Sequence, residues 1–250
     1  MNCKIAMNGF LGRMGQSIFD ESKNHENIEI SVGCDSTEKI ESSINNYDLK
    51  LTTDISKVSE LFEVVIDFSL PIPSINAIQK CVSFNKAITI GTTGFTKDQL
   101  IIIKEASKKI PILLAPNMSQ GVNVSLKSLA AMSKSLKEYN VLIKEIHHVN
   151  KIDSPSGTAI KMAQVICDSQ KIELGDLTSP NCPIKFESLR QDTEIGRHEV
   201  IFTNDHDEIR LLHIAYDRSI FASGAIQTAK WIKNQSPGLY SYSDYMEDIS

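Results

Sequence analysis

The chain has 250 residues, 41% of them hydrophobic and 23% charged, and carries a formal net charge of -5. Such a composition belongs to an ordinary globular protein of one large or two small domains, and the acidic balance argues against a general nucleic-acid surface, which needs clustered Lys and Arg. The cysteines Cys3, Cys34, Cys81, Cys167 and Cys182 form no CxxC pair, no apolar run approaches the ~20 residues of a membrane span, and Met1–Met7 is too short for a signal peptide, so the expected setting is a reducing cytoplasm without a membrane partner.

The first half alternates strand and helix. Lys4–Met7 reads as a short apolar strand and Gly12–Lys23 as a helix with Met14, Ile18 and Phe19 inward. Ile28–Cys34 is a second strand, and Val64–Phe68 a continuous apolar run of the kind covered on both faces of a parallel sheet. Ile72–Phe84 is helical and Ala87–Ile90 another strand. Thr96-Lys97-Asp98-Gln99 has the pattern of a capping box that opens a helix to about Lys108, and Ile110–Leu114 follows as a strand. Repeated β-α-β units predict a doubly wound parallel sheet of Rossmann type, with ligands at the carboxyl ends of its strands.

Near Pro116-Asn117-Met118 the rhythm changes. A helix over about Val122–Leu136, a strand Val141–His147 and a helix Gly157–Ser169 precede a connection marked by Pro180 and Pro183. Strands are expected at Ile184–Leu189, Glu199–Thr203 and Ile209–Ala215, with a hairpin turn at Asn204–Asp207. This second region reads as α+β with a mostly antiparallel sheet. Phe221–Lys233 is a last amphipathic helix, and Tyr240, Tyr242 and Tyr245 with the acidic tail suggest a surface flap or a subunit contact.

Two segments carry chemistry. Gly9-Phe10-Leu11-Gly12-Arg13-Met14-Gly15 lies between strand and helix, where glycines permit a tight turn and a helix N-terminus favours a pyrophosphate. Asp35, at the end of the second strand, can accept from an adenosine ribose; a 2′-phosphate would need a compensating cation, and the nearest is Lys39. NADH is therefore the expected cofactor, with NADPH as the alternative. Gly91-Thr92-Thr93-Gly94 ends a strand and is expected to line the same crevice.

The second segment is His147-His148-Val149-Asn150-Lys151-Ile152-Asp153-Ser154-Pro155-Ser156-Gly157-Thr158. A reductase needs an acid to match the delivered hydride, and histidine titrates near neutrality. Ser156 is a natural N-cap, so Gly157 and Thr158 would offer backbone N–H groups and a hydroxyl to a carboxylate. Alternation along a strand allows at most one of His147 and His148 to face a given pocket, unless the strand ends or bulges there. His198, His206 and His213 have no spaced Cys or carboxylate partners in the sequence, so they read as ordinary strand or turn residues and no metal site is expected.

Glu145-x-His147-His148-x-x-Lys151-x-Asp153-x-Pro155-Ser156-Gly157-Thr158-Ala159 resembles the signature of the dihydrodipicolinate reductases. Gly9-x-x-Gly12-Arg13-Met14-Gly15, Asp67-Phe68-Ser69, Gly91-Thr92-Thr93-Gly94 and Ala115-Pro116-Asn117-Met118-Ser119-x-Gly121-Val122-Asn123 are similar to that family in order and spacing, over nearly the whole chain. The resemblance implies NAD(P)H-dependent reduction of a cyclic dicarboxylate in the diaminopimelate route to lysine, with His147 as proton donor and Lys151 as its partner. It implies that His148, Ser156, Gly157 and Thr158 hold substrate carboxylates. Gly9, Phe10, Leu11, Gly12, Arg13, Met14, Asp35, Gly91, Thr92, Thr93, Ala115, Pro116, Asn117 and Met118 would contact the dinucleotide. It also implies a dinucleotide-binding domain of residues 1–118 plus 219–250, a substrate-binding and oligomerisation domain of residues 119–218, hinges near Asn117 and Arg218, and a homotetramer. Val149-Asn150 stands where many members carry Arg-His, Ser154 replaces a frequent alanine, and Arg190-Gln191-Asp192 lacks a glycine often found two places after that arginine. A dehydrogenase of an acyclic amino or hydroxy acid, or a non-catalytic dinucleotide sensor, are the alternatives; the sensor would not need the His-His-Lys constellation.

Overall fold

The apolar runs of the first half become the centre of a seven-stranded parallel sheet. The computed structural model describes residues 2–43, 47–149, 151–177, 179 and 181–249. Asn150 and Pro180, singled out in the sequence, lie outside the described residues. Two compact units form, one from Met1–Ser119 with Ser219–Ser250 and the other from Gln120–Arg218.

In the first unit, β1 (Cys3–Asn8), β2 (Ile28–Cys34), β3 (Lys50–Thr52), β4 (Val64–Asp67), β5 (Ala87–Ile90), β6 (Pro111–Leu114) and β11 (Gly238–Tyr240) lie in the order β11-β6-β5-β4-β1-β2-β3. Its helices are α1 (Arg13–Ser22), α2 (Thr37–Ser42), α3 (Pro71–Phe84), α4 (Lys97–Ser107), α7 (Ser219–Ile232) and α8 (Tyr242–Asp248). Strand order reverses beside β1, which pairs β2 on one side and β4 on the other. That places the ligand crevice at the carboxyl ends of β1 and β4. Every residue of β4 and β5 is buried, as a strand covered on both faces requires. The capping box of α4 forms as its sequence predicts, with Thr96 and Gln99 bonding reciprocally.

Several elements of this unit were not legible. α2, β3 and a 3-10 turn at Ile55–Leu61 arise in a polar stretch without clear periodicity. The C-terminal tail corrects an expectation. Rather than a surface flap, it forms β11, parallel to β6, and α8, which buries Tyr242 and Tyr245 at 4% exposure each. Ser241 caps α8 in a box with Asp244, and the tail acids occupy the outer side of a helix whose inner side is aromatic.

The second unit contains α5 (Gln120–Ser135), β7 (Asn140–His147), α6 (Gly157–Gln170), β8 (Ile184–Arg190), β9 (Gly196–Thr203) and β10 (Glu208–Ala215). Its sheet runs β10-β9-β7-β8. β7 pairs antiparallel with β9 and β9 with β10, whereas β7 and β8 are parallel. The sheet is therefore mixed, because β7-α6-β8 is itself a crossover unit and a helix-length connection permits parallel pairing. α5 packs on α6, and Leu129, Ile143, Met162, Ile166, Val200 and Phe202 form the core beneath them. The turn Asn204–Asp207 is the expected hairpin, with Asn204 Oδ1 accepting from the N–H groups of His206 (2.7 Å) and Asp207 (2.9 Å).

Candidate active site

The two groups of candidate residues fall in different units. In the first, the loop after β1 is shaped by backbone proximity. Gly9 has φ +83°, and a Cβ there would lie 2.4 Å from the carbonyl oxygen of Phe68. A Cβ on Gly15 would lie 2.3 Å from the carbonyl oxygen of Phe10, so α1 sits against the loop closer than any side chain permits. Gly12 is the N-cap of α1 and no side chain caps that helix, which leaves its first turn suited to an anion. Phe10 is fully buried, edge-on to Phe19 and Tyr47, so only its backbone can meet a ligand. Leu11 and Met14 are half-buried and Arg13 is exposed.

Asp35 closes this loop from the end of β2. One carboxylate oxygen accepts from the Leu11 N–H (2.8 Å), and the other accepts from the Ser36 N–H (2.9 Å) and meets Lys39 Nζ at 3.1 Å. The neighbouring strand ends are tied by Asp67, which is fully buried. Its Oδ1 accepts from Asn8 Nδ2 (2.6 Å) and the Ser69 hydroxyl (2.6 Å), and its Oδ2 from the Thr92 hydroxyl (2.6 Å). Burial pushes the Asp67 carboxyl up, against the pull of these hydroxyl and amide donors. Thr92 also accepts from the Ser69 N–H (2.9 Å), so its hydroxyl is committed to the scaffold. Gly91 packs under the Phe68 ring, and Thr93 is exposed. Ala115 and Met118 are buried, Pro116 is exposed, and Asn117 Oδ1 accepts from the Ser119 N–H (2.9 Å). An uncapped helix start, a glycine loop and an acid at the second strand end together fit a dinucleotide.

In the second unit, β7 alternates buried and half-buried positions, so Val141, Ile143, Glu145 and His147 share the inward face. The apolar face turns polar at its carboxyl end. His147, the last residue of β7, is buried, while His148, just past the strand end, is half-buried. Glu145 is 1% exposed. Its Oε1 accepts from the Ser156 N–H (2.9 Å) and the Ser188 hydroxyl (2.8 Å), with Arg190 Nη1 4.0 Å away. Its Oε2 faces His147 Nδ1 at 3.6 Å and His198 Nε2 at 3.7 Å.

His198 therefore overturns its reading as an ordinary strand residue. It has a carboxylate neighbour, its ring stands edge-on to His147 at 4.9 Å, and its Nε2 lies 3.1 Å from the Ser156 hydroxyl. The partner was invisible in the sequence because antiparallel pairing of β7 with β9 sets Glu145 opposite His198. Burial drives the His198 imidazole down to about 4, helped by His147, and burial also lowers His147, opposed by Glu145. Glu145 itself is held below the usual carboxylate range: burial raises it, and its Ser156 and Ser188 hydrogen bonds outweigh that.

Ser156 caps α6 as expected, its hydroxyl accepting from the Ala159 N–H (3.2 Å), and it is 2% exposed. Gly157 is exposed, and a Cβ there would meet nothing within 4 Å; Thr158 is half-buried. Lys151 Nζ meets both oxygens of Asp153 at 2.9 Å. The loop bearing it is held by Arg190, which donates to the carbonyls of Lys151 (3.1 Å) and Asp153 (2.6 Å). Val149, one of the unusual positions, is 62% exposed. Asp192 stands where a glycine is common and adopts φ +41°, the left-handed region that glycine enters most easily. Sequence reading named Asp67, Glu145 and Arg190 only as positions in motifs, and missed the bonds that they and His198 make. The available signal was a charged or imidazole side chain at an inward position of an otherwise apolar strand.

Family comparisons agree along the whole length. The family described as "Dihydrodipicolinate reductase, N-terminus" matches residues 3–118, and "Dihydrodipicolinate reductase, C-terminus" matches residues 121–246. A protein of Buchnera aphidicola subsp. Cinara cedri named 4-hydroxy-tetrahydrodipicolinate reductase is 37% identical, covering 98% of this chain and 97% of its own. One of the same name from Pelagibacter ubique is 36% identical, covering 97% of each. The solved structure of dipicolinate-bound dihydrodipicolinate reductase from Paenisporosarcina sp. TG-14 shares the fold, with TM-score 0.82 at 24% identity over 96% of this chain and 98% of that one. The chain belongs to the dihydrodipicolinate reductase family, whose members are NAD(P)H-dependent oxidoreductases.

Proposed function

We propose that this chain reduces the cyclic dicarboxylate 4-hydroxy-tetrahydrodipicolinate, with His147 as general acid and NADH as the preferred reductant. The supporting observation is one buried carboxylate, Glu145, that touches both an imidazole and the start of an open helix. When bound, the reduced nicotinamide supplies the hydride; everything else falls to the protein.

Once the 4-hydroxyl has left as water, opening a conjugated double bond, the hydride goes to one of its carbons and His147 gives the matching proton to the adjacent one. Tetrahydrodipicolinate and water are the products. Gly157, Thr158 and His148 hold the substrate carboxylates, the first two through a helix N-terminus and a hydroxyl; Ser156 contributes through the cap. Lys151 exchanges Asp153 for a substrate carboxylate. In the free protein Lys151 and Arg190 disfavour a positive charge on His147. Carboxylates of the substrate neutralise those cations, so binding itself raises the acid towards its protonated form.

The loop from Gly9 to Met14, Asp35, the Gly91–Thr93 turn and the stretch Ala115–Met118 make the dinucleotide site. Asp35 presents negative charge where an adenosine 2′-phosphate would lie, and Lys39, already paired with it, offsets that only in part. Following NADH oxidation with substrate made in place by the synthase of the preceding condensation tests the assignment. Turnover is expected with both nucleotides and a higher kcat/KM with NADH; no turnover overturns the activity, and preference for NADPH overturns the cofactor assignment.

A homotetramer in a reducing cytoplasm completes the reading. All five cysteines are free thiols. The sheet face of the second unit that carries Leu189 (58% exposed) and Leu212 (45% exposed) also carries Lys144 and Glu187, an arrangement suited to self-association. Light scattering is expected to give four chains per particle, and Leu189→Arg with Leu212→Asp to reduce that number; a monomeric wild type would end the proposal.

A further inference from the structure

We infer that Glu145 is a positioning residue whose single carboxylate both sustains the charge of His147 and fixes the start of α6. The inference deepens the assignment of His147 as acid and rests on it. The geometry divides the two oxygens between two tasks. Oε1 takes the Ser156 N–H and the Ser188 hydroxyl, so it anchors the residue from which α6 begins. Oε2 makes no hydrogen bond and faces His147 Nδ1 and His198 Nε2 at 3.6 and 3.7 Å. His147 Nδ1 is equally unpartnered.

A buried anion beside an imidazole does little for it while it is neutral and much once it is protonated. The pair is therefore arranged for the moment before proton donation, when His147 must be cationic in a dry place. Around it stand Lys151 and Arg190, which oppose that charge, Asp153, which favours it from the loop, and His198 on β9, whose neighbour on β10 is His213. Glu145 is the anion that faces the ring, at 3.6 Å, and its other oxygen holds the Ser156 N–H at the start of α6. His198, kept neutral by burial, shares its Nε2 hydrogen bond with the Ser156 hydroxyl and leaves Oε2 unpaired beside His147. One residue thus couples the acid to the N-terminus at which Gly157 and Thr158 lie.

The pH profile of kcat/KM tests this. An acid that must be protonated loses activity as pH rises through its pKa, and removing a neighbouring anion lowers that pKa. Glu145→Gln is therefore expected to move the high-pH limb about one unit or more to lower pH, with about tenfold lower activity above it. Glu145→Asp, which keeps the charge on a shorter stem, is expected to retain the wild-type limb while kcat falls, and thermal melting verifies the fold of each. A purely structural role would lower the rate of both variants without moving the limb, and that result overturns the inference, as does an aspartate profile displaced as far as the glutamine one. His147→Gln, run alongside, separates the cases. Should it turn over normally, the acid assignment falls and this inference with it. Should it collapse while Glu145→Gln keeps the wild-type limb, the inference alone falls.

Discussion

His147→Gln is expected to lower kcat by about 100-fold or more, the scale on which positioned general acids act. That corresponds to about 2.7 kcal/mol of transition-state stabilisation. Glutamine keeps the polarity and much of the volume but offers no proton of suitable pKa. KM is expected to change little, because the substrate carboxylates are assigned to other groups. Lys151→Ala supplies the contrast: it removes a carboxylate holder, so KM should rise and kcat fall together. The fold tolerates the first change because Glu145 keeps its Ser156 and Ser188 hydrogen bonds and its Arg190 neighbour when the imidazole is gone. Steady-state kinetics on both variants decide the matter. Near-wild-type kcat for His147→Gln would remove this residue from the chemistry.

Asp67→Ala is expected to have the largest effect on stability. The side chain is fully buried and accepts from Asn8, Ser69 and Thr92, one donor from each of three strand ends. Truncation leaves the buried Asn8 amide and Thr92 hydroxyl without this acceptor, while the half-buried Ser69 hydroxyl keeps the Leu70 carbonyl at 3.3 Å. Each unsatisfied buried group costs ~1–3 kcal/mol, so a loss of about 3–5 kcal/mol is expected, a large part of the stability of a typical domain. Asp67→Asn should cost less, since it keeps an acceptor and the volume. Denaturant midpoints measure both. The same strand ends carry the Gly9 loop and the Gly91–Thr93 turn, so an alanine variant that still folds should bind NADH more weakly. A midpoint within error of wild type would show that the network adds nothing.

The parts of the site that were legible share a trait: their function follows from local conformation. A strand–glycine–helix passage is recognisable because Gly9 must take a positive φ and Gly15 must touch backbone. Ser156 announces a helix start through the polarity of its side chain and the helical residues after it, and the structure uses it so. Thr96 and Gln99 behave likewise. Asp35 was found by position, but its bonds to the Leu11 N–H and Lys39 were not. Asp192, by contrast, breaks the local expectation and occupies a glycine-like conformation all the same.

Chain order and periodicity thus determined most of the elements, the doubly wound sheet, the glycine loop and the capped helix beside His147, because each depends on residues within a turn or two of one another. Only the tertiary structure decided that β8 lies on the far side of β7, that the tail is core, and that His198 meets Glu145. Those outcomes hang on pairing between segments dozens of residues apart. There the free energy depends on which buried polar groups find partners across the sheet, and no local pattern records that choice.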